Sequence, residues 1–250
     1  MPPLPPNTLR RFFAAPARFK NDQVTLDPEE SHHLAQVLRL KPGAQVVVVD
    51  GQGRQVQAQV ARLAPDGVVL TLEREIGEAA ESPVHLTLAL ALAKTEALDL
   101  VIRQATELGV KAIAPFTSTY SEKLPQERAA KRLERWRKLT REALKSCQRA
   151  WLPTIQPIQD FSQVLSGPEA MKLFCWENQR GGGLAALLTG PPPQGLRVVI
   201  GPEGGFTPPE AAQARDAGYQ LISLGPRRLK VETAALTVLA LIQGNWGDLA

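Results

Sequence analysis

The sequence predicts an α/β protein whose larger, carboxyl-terminal domain has a mainly parallel sheet and whose smaller, amino-terminal domain is a β-barrel. Two patterns support this prediction. Up to about residue 76, short segments that alternate apolar and polar residues are separated by turns at hairpin intervals. From residue 84 onward, apolar strands alternate with amphipathic helices, which is typical of parallel sheets with helical crossovers. We therefore predict domains over 1–76 and 84–250, joined by a linker over 77–83.

The composition is that of an ordinary globular protein with a modest positive charge. A hydrophobic share of 44% is enough for a real core, and the net charge of +4 suits a polyanionic partner where the charge is clustered. Cys147 and Cys175 cannot build a disulfide framework, and no Cys/His cluster has the spacing of a zinc site, so we expect a reducing, cytoplasmic location. The sequence starts without a signal-peptide pattern, and its longest apolar runs, 86–93 and 234–242, are too short to cross a bilayer, so no membrane association is expected.

The first 20 residues carry four basic side chains and no acidic one. Arg10 and Arg11 precede Phe12 and Phe13, and arginine beside an aromatic ring can bind phosphate and stack on nucleic-acid bases. The same residues could form a first strand with a phenylalanine in the core and the arginines in solvent. Both interpretations can hold together because side chains alternate between the two faces of a strand.

A helix is predicted over 28–39. Pro28 suits its first turn, the acids that follow favour the positive amino-terminal end, and a Pro-Gly pair stops it shortly after Arg39. His32 and His33 have no acid or nucleophile at a catalytic spacing, so a structural role is favoured over a catalytic one.

Three alternating segments complete the amino-terminal domain. Turn signals separate them, Gly51-Gln52-Gly53 first and Pro65-Asp66-Gly67 second. Because the turns are short, neighbouring strands are expected to pair as hairpins. The predicted strands run over 46–50, 55–61 and 68–73.

The larger domain begins with a strand–helix–strand unit. The strand 85–93 is almost continuously apolar, and Lys94 stands at its carboxyl end. Apolar residues recur at a spacing of three and four over 97–108, which predicts a helix, and the next strand runs over 110–116. A βαβ unit of this kind implies a parallel sheet.

A long basic helix is predicted over 126–151. Between Glu122 and Trp151 there are ten Lys or Arg residues and four acids, so this segment is more positive than the whole chain. Many charged helices simply face solvent. Here the local excess of positive charge, with Trp136 and Trp151 interleaved among the basic residues, favours contact with RNA.

The elements that follow are short, except for the last helix. Glu177 follows the predicted strand 171–176 and is either a cofactor contact or part of a capped strand end. The final helix, 232–243, is apolar on most faces and must be buried on more than one side, which a partner subunit could provide. Further helices are predicted over 159–165 and 184–188.

Two strands that each run into a Gly-Pro loop organise the carboxyl-terminal part of the chain. Strand 197–200 leads to Gly201-Pro202, and strand 219–224 leads to Gly225-Pro226. Between them a Thr207-x-x-Glu210 capping box begins a short helix. Loops at the carboxyl ends of neighbouring parallel strands are the ligand-binding position of open α/β sheets, whereas a single Gly-Pro is usually only a tight turn.

The sequence of these loops resembles the SPOUT class of RNA methyltransferases. Within that class, three segments resemble the 16S rRNA (uracil-N3) methyltransferase family: Gly201-Pro202-Glu203-Gly204-Gly205-Phe206, Leu224-Gly225, and the Leu-Lys-Val-Glu-Thr-Ala run that starts at Leu229. The segment Arg149-Ala150-Trp151-Leu152-Pro153 is similar to an Arg-x-x-apolar-Pro motif of the same family.

The resemblance implies a fold, an activity and partners. It implies a trefoil-knotted α/β domain at the carboxyl end and a PUA-like, RNA-binding barrel at the amino end. It also implies transfer of a methyl group from S-adenosylmethionine to N3 of a uridine in small-subunit ribosomal RNA, on the 30S subunit. The expected enzyme is a homodimer formed through the knotted domain. No metal is expected, because the methyl donor is already an activated sulfonium.

The resemblance also assigns site residues. Lys230, Glu203 and Arg149 are the expected catalytic residues, and Lys230 stands where the family usually has Arg, which keeps the charge but loses the bidentate geometry. The proton acceptor is left open between Glu203 and Glu232. The expected RNA contacts are Arg10, Arg11, Arg39, Lys94, Arg149 and Arg228. The expected cofactor contacts are Trp176, Glu177, Ile200, Gly201, Gly204, Gly205, Leu224, Gly225, Leu229 and Thr233.

Two other functions remain open at this point. One is a SPOUT methyltransferase with another target, such as a tRNA base or a ribose 2′-hydroxyl. The other is an RNA-binding ribosome assembly factor without turnover. Nucleotide hydrolysis and dinucleotide redox chemistry are disfavoured, because the glycine-rich loop lacks the Gly-Lys-Ser/Thr ending of a P-loop and no Gly-x-Gly-x-x-Gly opens a helix.

Overall fold

The computed structural model describes residues 9–64, 66–77, 81–181 and 183–249, which form two compact units. The first unit contains Met1–Ala80 and Arg141–Leu152, and the second contains Glu81–Thr140 and Pro153–Ala250. Residues 78–80 of the expected linker lie outside the described residues, so the domain boundaries drawn from the sequence stay a prediction.

The first unit is built on a six-stranded sheet of short strands. Its order is β1-β4-β5-β6-β3-β2, with β1 and β4 parallel and all other neighbours antiparallel. The predicted hairpins are confirmed, and their pairing sets Val48 opposite Val56 and Val60 opposite Leu70, all four in the core. The strands are β1 (Arg11–Phe13), β2 (Phe19–Lys20), β3 (Gln23–Thr25), β4 (Gln45–Val49), β5 (Gln55–Ala64) and β6 (Gly67–Glu75).

The helix expected over 28–39 is shorter and changes its winding. The α-helix α1 spans Pro28–His32, with the Asp27 side chain accepting a hydrogen bond from the Glu30 backbone N–H, and one π-helical turn, His33–Val37, follows. Arg39 then takes a left-handed conformation with φ of 54°. Apolar periodicity cannot separate an α turn from a single wider π turn, because both keep the same side of the helix apolar.

The basic helix α3 spans Gln126–Ser146, so its predicted extension to residue 151 is wrong. Gln148 adopts a φ of 63°, which takes the chain out of the helix, and the backbone then pairs with the turn between β4 and β5. Two hydrogen bonds hold this pairing, from Gly53 N–H to Ala150 O at 3.0 Å and from Leu152 N–H to Gly51 O at 3.0 Å.

The second unit has a parallel six-stranded sheet, as expected. Its order is β12-β10-β11-β7-β8-β9, and every neighbouring pair is parallel. The strands are β7 (Leu86–Ala91), β8 (Ala112–Phe116), β9 (Thr154–Ile155), β10 (Met171–Cys175), β11 (Leu196–Ile200) and β12 (Gln220–Ile222). The helices are α2 (Thr95–Glu107), α4 (Phe161–Leu165), α5 (Leu184–Leu187), α6 (Pro208–Asp216) and α7 (Val231–Trp246).

Helices cover both faces of this sheet. Leu86, Leu88 and Leu90 of β7 belong to one core cluster with apolar residues of α2 and α7. Ala89 and Ala91 of the same strand belong to a second cluster with residues of α4 and α6. The alternation explains why β7 is apolar except for Thr87, since both of its faces are buried. The trefoil knot implied by the resemblance stays a prediction.

The strand order corrects one expectation about the two Gly-Pro loops. They follow β11 and β12, which are not neighbours, because β10 lies between them and pairs with both. All three strands are parallel, so their carboxyl ends meet at one edge of the sheet. The residues after β10, Trp176 and Glu177, are therefore placed between the two loops.

The last helix, α7, is longer than predicted and carries a buried polar residue. Gln243 is fully buried; its amide donates to Leu108 O at 2.6 Å and its side-chain oxygen accepts from the Ser82 hydroxyl at 2.6 Å. These bonds satisfy a polar group that burial would otherwise penalise. In the part of the chain that is described, no helix is long and apolar enough to cross a bilayer.

Candidate active site

A cavity of about 600 Å³ lies at the carboxyl edge of the parallel sheet in the second unit. Two segments bound it, which we call the first loop (residues 201–207, after β11) and the second loop (residues 223–230, after β12). The ends of β7 and β10 and the first turns of α2 and α7 complete its walls. A volume of this size suits a small-molecule ligand.

Eight of the ten expected cofactor contacts line this cavity. Gly204 instead lines an adjoining cavity, and Thr233 is exposed on the first turn of α7 and is not among the lining residues. The eight are Trp176, Glu177, Ile200, Gly201, Gly205, Leu224, Gly225 and Leu229.

The first loop requires its glycines. A Cβ atom on Gly201 would lie 2.8 Å from Cε2 of Phe206, and Gly205 has a φ of 71°. A Cβ atom on Gly205 would also lie 2.2 Å from Oε1 of Glu177. The backbone of this loop is therefore packed directly against neighbouring side chains, which only glycine allows.

Phe206 fixes the first loop to the core. Its side chain is 4% exposed and its ring centroid lies 4.2 Å from that of Phe174 on β10. It also stacks on Phe116 at the end of β8, with centroids 6.4 Å apart. The backbone oxygen of Phe206 accepts a hydrogen bond from Nε1 of Trp176 at 3.4 Å. The first loop is thus tied to the ends of two other strands.

Glu203 stabilises the start of helix α2. Its Oε1 atom accepts a hydrogen bond from the backbone N–H of Lys94, the residue that caps α2, at 3.0 Å. A carboxylate at this position satisfies a free helix donor and interacts favourably with the positive end of the helix dipole. Both residues line the cavity.

Glu210 joins the first loop to the segment after β8. Its carboxylate accepts hydrogen bonds from the backbone N–H and the hydroxyl of Thr207, both at 2.8 Å, as the predicted capping box requires. It also accepts from the backbone N–H and the hydroxyl of Thr119 at 2.8 and 3.0 Å. Burial by itself raises the pKa of Glu210, but these four donors hold the pKa below its ordinary value. The sequence indicated the cap but not Thr119, because that contact is far away in the chain.

Among the described residues, the second loop carries three of the four basic side chains that line the cavity. Lys230 is exposed, lines the cavity and is the first residue before α7. Nη2 of Arg228 lies 3.6 Å from Oε1 of Glu177, and the Arg228 side chain is 70% exposed. Gly225 has a φ of 112°, and a Cβ atom there would meet no atom within 4 Å. This loop therefore borders open space rather than packed side chains.

A second cavity of about 430 Å³ adjoins the first. The two share five wall residues, and the second adds the amide of Asn178, which the sequence analysis did not single out. The shared residues are Glu177, Phe206, Gly225, Arg227 and Arg228. Among the described residues, no group of three or more His, Cys, Asp or Glu side chains could hold a metal ion.

The other expected RNA contacts belong to the first unit. Arg10 and Arg39 are exposed there, whereas Arg149 is 5% exposed. Arg11 is half-buried and donates to Oε1 of Gln55 at 2.8 Å and to the backbone oxygen of Arg149 at 3.3 Å. Burial lowers the pKa of Arg11 from its ordinary value. Of the expected catalytic residues, the structure brings Lys230 and Glu203 together in the cavity, and Arg149 does not line it.

The two tryptophans of the basic segment differ in position. Trp136 is 1% exposed and belongs to the core of the second unit, so its expected contribution to an RNA surface is wrong. Trp151 is 49% exposed in the first unit. Its ring packs on Gly53, where a Cβ atom would lie 2.6 Å from the indole.

Comparison with known proteins gives matches along most of the chain. A family model described as an RNA methyltransferase domain matches residues 80–243, and one described as an RNA methyltransferase PUA domain matches residues 26–73. Ribosomal RNA small subunit methyltransferase E of Synechocystis sp. is 35% identical over 236 residues, covering 93% of this chain and 76% of the relative. The protein of the same name from Bacillus subtilis is 30% identical over 222 residues, covering 86% and 87%.

Two solved structures are similar over nearly the whole chain. One is a ribosomal RNA small subunit methyltransferase E from Neisseria gonorrhoeae bound to S-adenosyl methionine, with a TM-score of 0.88, 30% identity, and coverage of 97% of this chain and 100% of that one. The other is a putative methyltransferase from Legionella pneumophila in complex with the bound cofactor, with a TM-score of 0.89, 28% identity, and coverage of 96% and 99%.

Proposed function

This chain belongs to the RNA methyltransferase family that includes ribosomal RNA small subunit methyltransferase E, and we propose that it methylates N3 of a uridine in small-subunit ribosomal RNA with S-adenosylmethionine as donor. One observation carries the proposal: the glycine-lined cavity at the carboxyl edge of the sheet joins the two loops whose sequence resembles the uracil-N3 enzymes. The names of the relatives support the RNA substrate, and the two solved relatives support the donor.

The residues of the first cavity fit the donor. Gly201 and Gly205 hold the backbone of the first loop against Phe206 and Glu177, where any Cβ atom would collide, and the space at Gly225 is open. Ile200 and Leu224 also line this cavity. When bound, S-adenosylmethionine supplies a methyl group that is already activated on sulfur. The chain's own task is to seat the donor, exclude water and present the base.

The exposed cations of the second loop fit a substrate that gains negative charge. When N3 of a uracil loses its proton, charge develops on the two ring oxygens. Lys230 lines the cavity and can stabilise that charge, although its ammonium lacks the planar fork of arginine. Arg228 stands nearby on the same loop and supplies such a fork. We propose both as substrate-facing cations and Glu203 as the residue that holds Lys94 in place.

We also propose that the first unit binds RNA and that the protein acts as a cytoplasmic homodimer. The exposed Arg10 and Arg39 support the RNA contact. Exposed apolar side chains on two helices of the second unit, Leu100 of α2 and Leu241 of α7, support association through that unit. Light scattering on the purified protein tests the homodimer, and a monomer at micromolar concentration would contradict it.

The activity is tested with small ribosomal subunits that lack their modifications. The protein is incubated with these subunits and labelled S-adenosylmethionine, and the RNA is digested to nucleosides for mass spectrometry. The expected product is N3-methyluridine in the small-subunit RNA. Methylation of a ribose, or transfer only to tRNA, would contradict the proposed target, and donor binding without transfer would contradict catalysis.

A further inference from the structure

The proposed reaction needs a group that accepts the N3 proton. The sequence left this open between Glu203 and Glu232. In the structure, the Glu203 carboxylate already accepts a hydrogen bond from the backbone N–H of Lys94. The negative charge of Glu203 there stabilises the start of α2. A carboxylate that holds a helix terminus loses that interaction when it is protonated, so Glu203 is poorly suited to accept a proton in each cycle.

Among the described residues, four carboxylates line the first cavity, and one of them also lines the second. Glu96, Glu203 and Glu232 border the first cavity alone, whereas Glu177 borders both. Glu177 follows β10, the strand that lies between the strands of the two loops. Its carboxylate is therefore placed where the two cavities join.

The two cavities differ in the chemistry of their walls. Most of the exposed wall of the first cavity is apolar, with side chains such as those of Leu224 and Leu229, which suits the donor. The wall of the second cavity is mostly polar, and it adds the amide of Asn178 to Arg227 and Arg228, which line both cavities. These groups donate hydrogen bonds, and a uracil nucleotide offers acceptors to them in its two ring oxygens and its phosphate.

Resting on the proposed function, we propose that the second cavity binds the target uridine and that Glu177 accepts the proton from its N3. The N3–H proton moves to a carboxylate oxygen of Glu177. The electron pair left on N3 forms the new bond to the methyl carbon, and the carbon–sulfur bond breaks with its electron pair remaining on sulfur. The products are N3-methyluridine and S-adenosylhomocysteine, and no further reactant is needed.

Glu177 is held in position but remains accessible. Oε1 would collide with any Cβ atom at Gly205, so the carboxylate lies directly against the first loop. On its other side it pairs with Arg228 at 3.6 Å, and the Glu177 side chain is 33% exposed. An exposed ion pair of this length contributes little to the free energy of folding. A ligand can therefore replace Glu177 as the partner of Arg228, which leaves Arg228 free to bind the uracil oxygens.

The decisive variant is Glu177→Gln, which keeps the shape and removes the proton acceptor. We expect kcat to fall by about 100- to 10,000-fold, the range of general-base catalysis. The dissociation constant for S-adenosylmethionine, measured by calorimetry, should stay within about threefold. The loss in kcat should shrink as pH rises, because N3 then ionises without help. Glu177→Asp, which keeps a carboxylate, should retain more activity than Glu177→Gln.

The matched control is Glu107→Gln, which removes an exposed carboxylate at the carboxyl end of α2 that lines neither cavity and should leave kcat nearly unchanged. For the second cavity, Asn178→Ala should raise KM for the RNA at least tenfold without changing donor affinity, because Asn178 lines that cavity and not the first. The proposal is overturned if Glu177→Gln keeps kcat within fivefold of the wild type, if its loss follows weaker donor binding, or if its loss is independent of pH. An unchanged KM for the RNA in Asn178→Ala overturns the uridine site.

The product of the wild-type enzyme separates this proposal from the function on which it rests. If the modified nucleoside is not N3-methyluridine, the proposed function fails. If it is N3-methyluridine and Glu177→Gln is fully active, the proton acceptor alone is wrong. Thermal melting of each variant shows that altered kinetics do not come from unfolding.

Discussion

The two loops that bound the cavity are built in opposite ways. The first loop is fixed by the buried ring of Phe206, by the Glu210 carboxylate and by the close approach of Gly205 to Glu177. The second loop has open space at Gly225 and carries the exposed cations Arg227, Arg228 and Lys230. A rigid loop suits the binding of a small donor that is the same in every cycle, whereas exposed cations suit a large polyanionic substrate that binds and dissociates.

The largest expected effect on stability comes from removing the buried ring that anchors the first loop. Phe206→Ala removes a nearly buried ring that packs on Phe174 at 4.2 Å between centroids. We expect the free energy of unfolding to fall by about 3–5 kcal/mol, as measured by urea denaturation. Pro226→Ala in the exposed second loop is the matched control and should change the free energy of unfolding by less than about 0.5 kcal/mol. Equal effects would remove the contrast between the loops.

The next largest effect concerns catalysis by the second loop. Lys230→Ala should lower kcat by about 100- to 1,000-fold, because the charge that forms on the uracil oxygens loses a fixed cation. The thermal stability should stay the same, since the side chain is exposed. Lys230→Arg keeps a cation and should keep most of the rate. Transfer within a few fold of the wild type for Lys230→Ala would remove this residue from the active site.

A smaller effect is expected at the acid that ties the first loop to Thr119. The pKa of Glu210 is held below its ordinary value of 4.5, so the ionised carboxylate stabilises the fold above about pH 4.5 and this contribution is lost as pH falls. Glu210→Gln should therefore lower the free energy of unfolding by about 1–3 kcal/mol at pH 7. The difference between the variant and the wild type should narrow toward pH 3. A difference independent of pH would contradict the ionic role.

The smallest effect on stability is expected for the exposed pair between the loops. Arg228→Ala removes the 3.6 Å contact to Glu177 and should change the free energy of unfolding by less than about 1 kcal/mol. Its effect should instead appear in methyl transfer, where kcat should fall by about 10- to 100-fold because the uracil oxygens lose one charge-assisted hydrogen bond. An unchanged kcat would indicate that Arg228 does not contact the uracil oxygens.

The sequence predicted the parts of the site that depend on neighbouring residues. The capping box of Thr207 and Glu210 follows from local backbone geometry. Family resemblance added the expectation that these two loops hold the donor, and eight of the ten expected cofactor contacts line one cavity.

The parts that depend on distant pairing could not be predicted in this way. The local sequence pattern does not indicate that β10 lies between β11 and β12. The position of Glu177 at the junction of two cavities therefore could not be predicted from the sequence. The contact of Thr119 with Glu210 could not be predicted for the same reason. Nor could the burial of Trp136, which lies on the face of its amphipathic helix that packs into the core. Strand order and helix orientation are set by tertiary packing, which overrides local pattern.

A crystal structure grown with S-adenosylmethionine tests the central claim most directly. We expect the donor in the first cavity, against the backbone of Gly201 and Gly205 and facing Gly225, with its methyl group directed toward Glu177 and the second cavity. A donor bound elsewhere, or a methyl group directed away from that junction, would contradict the account.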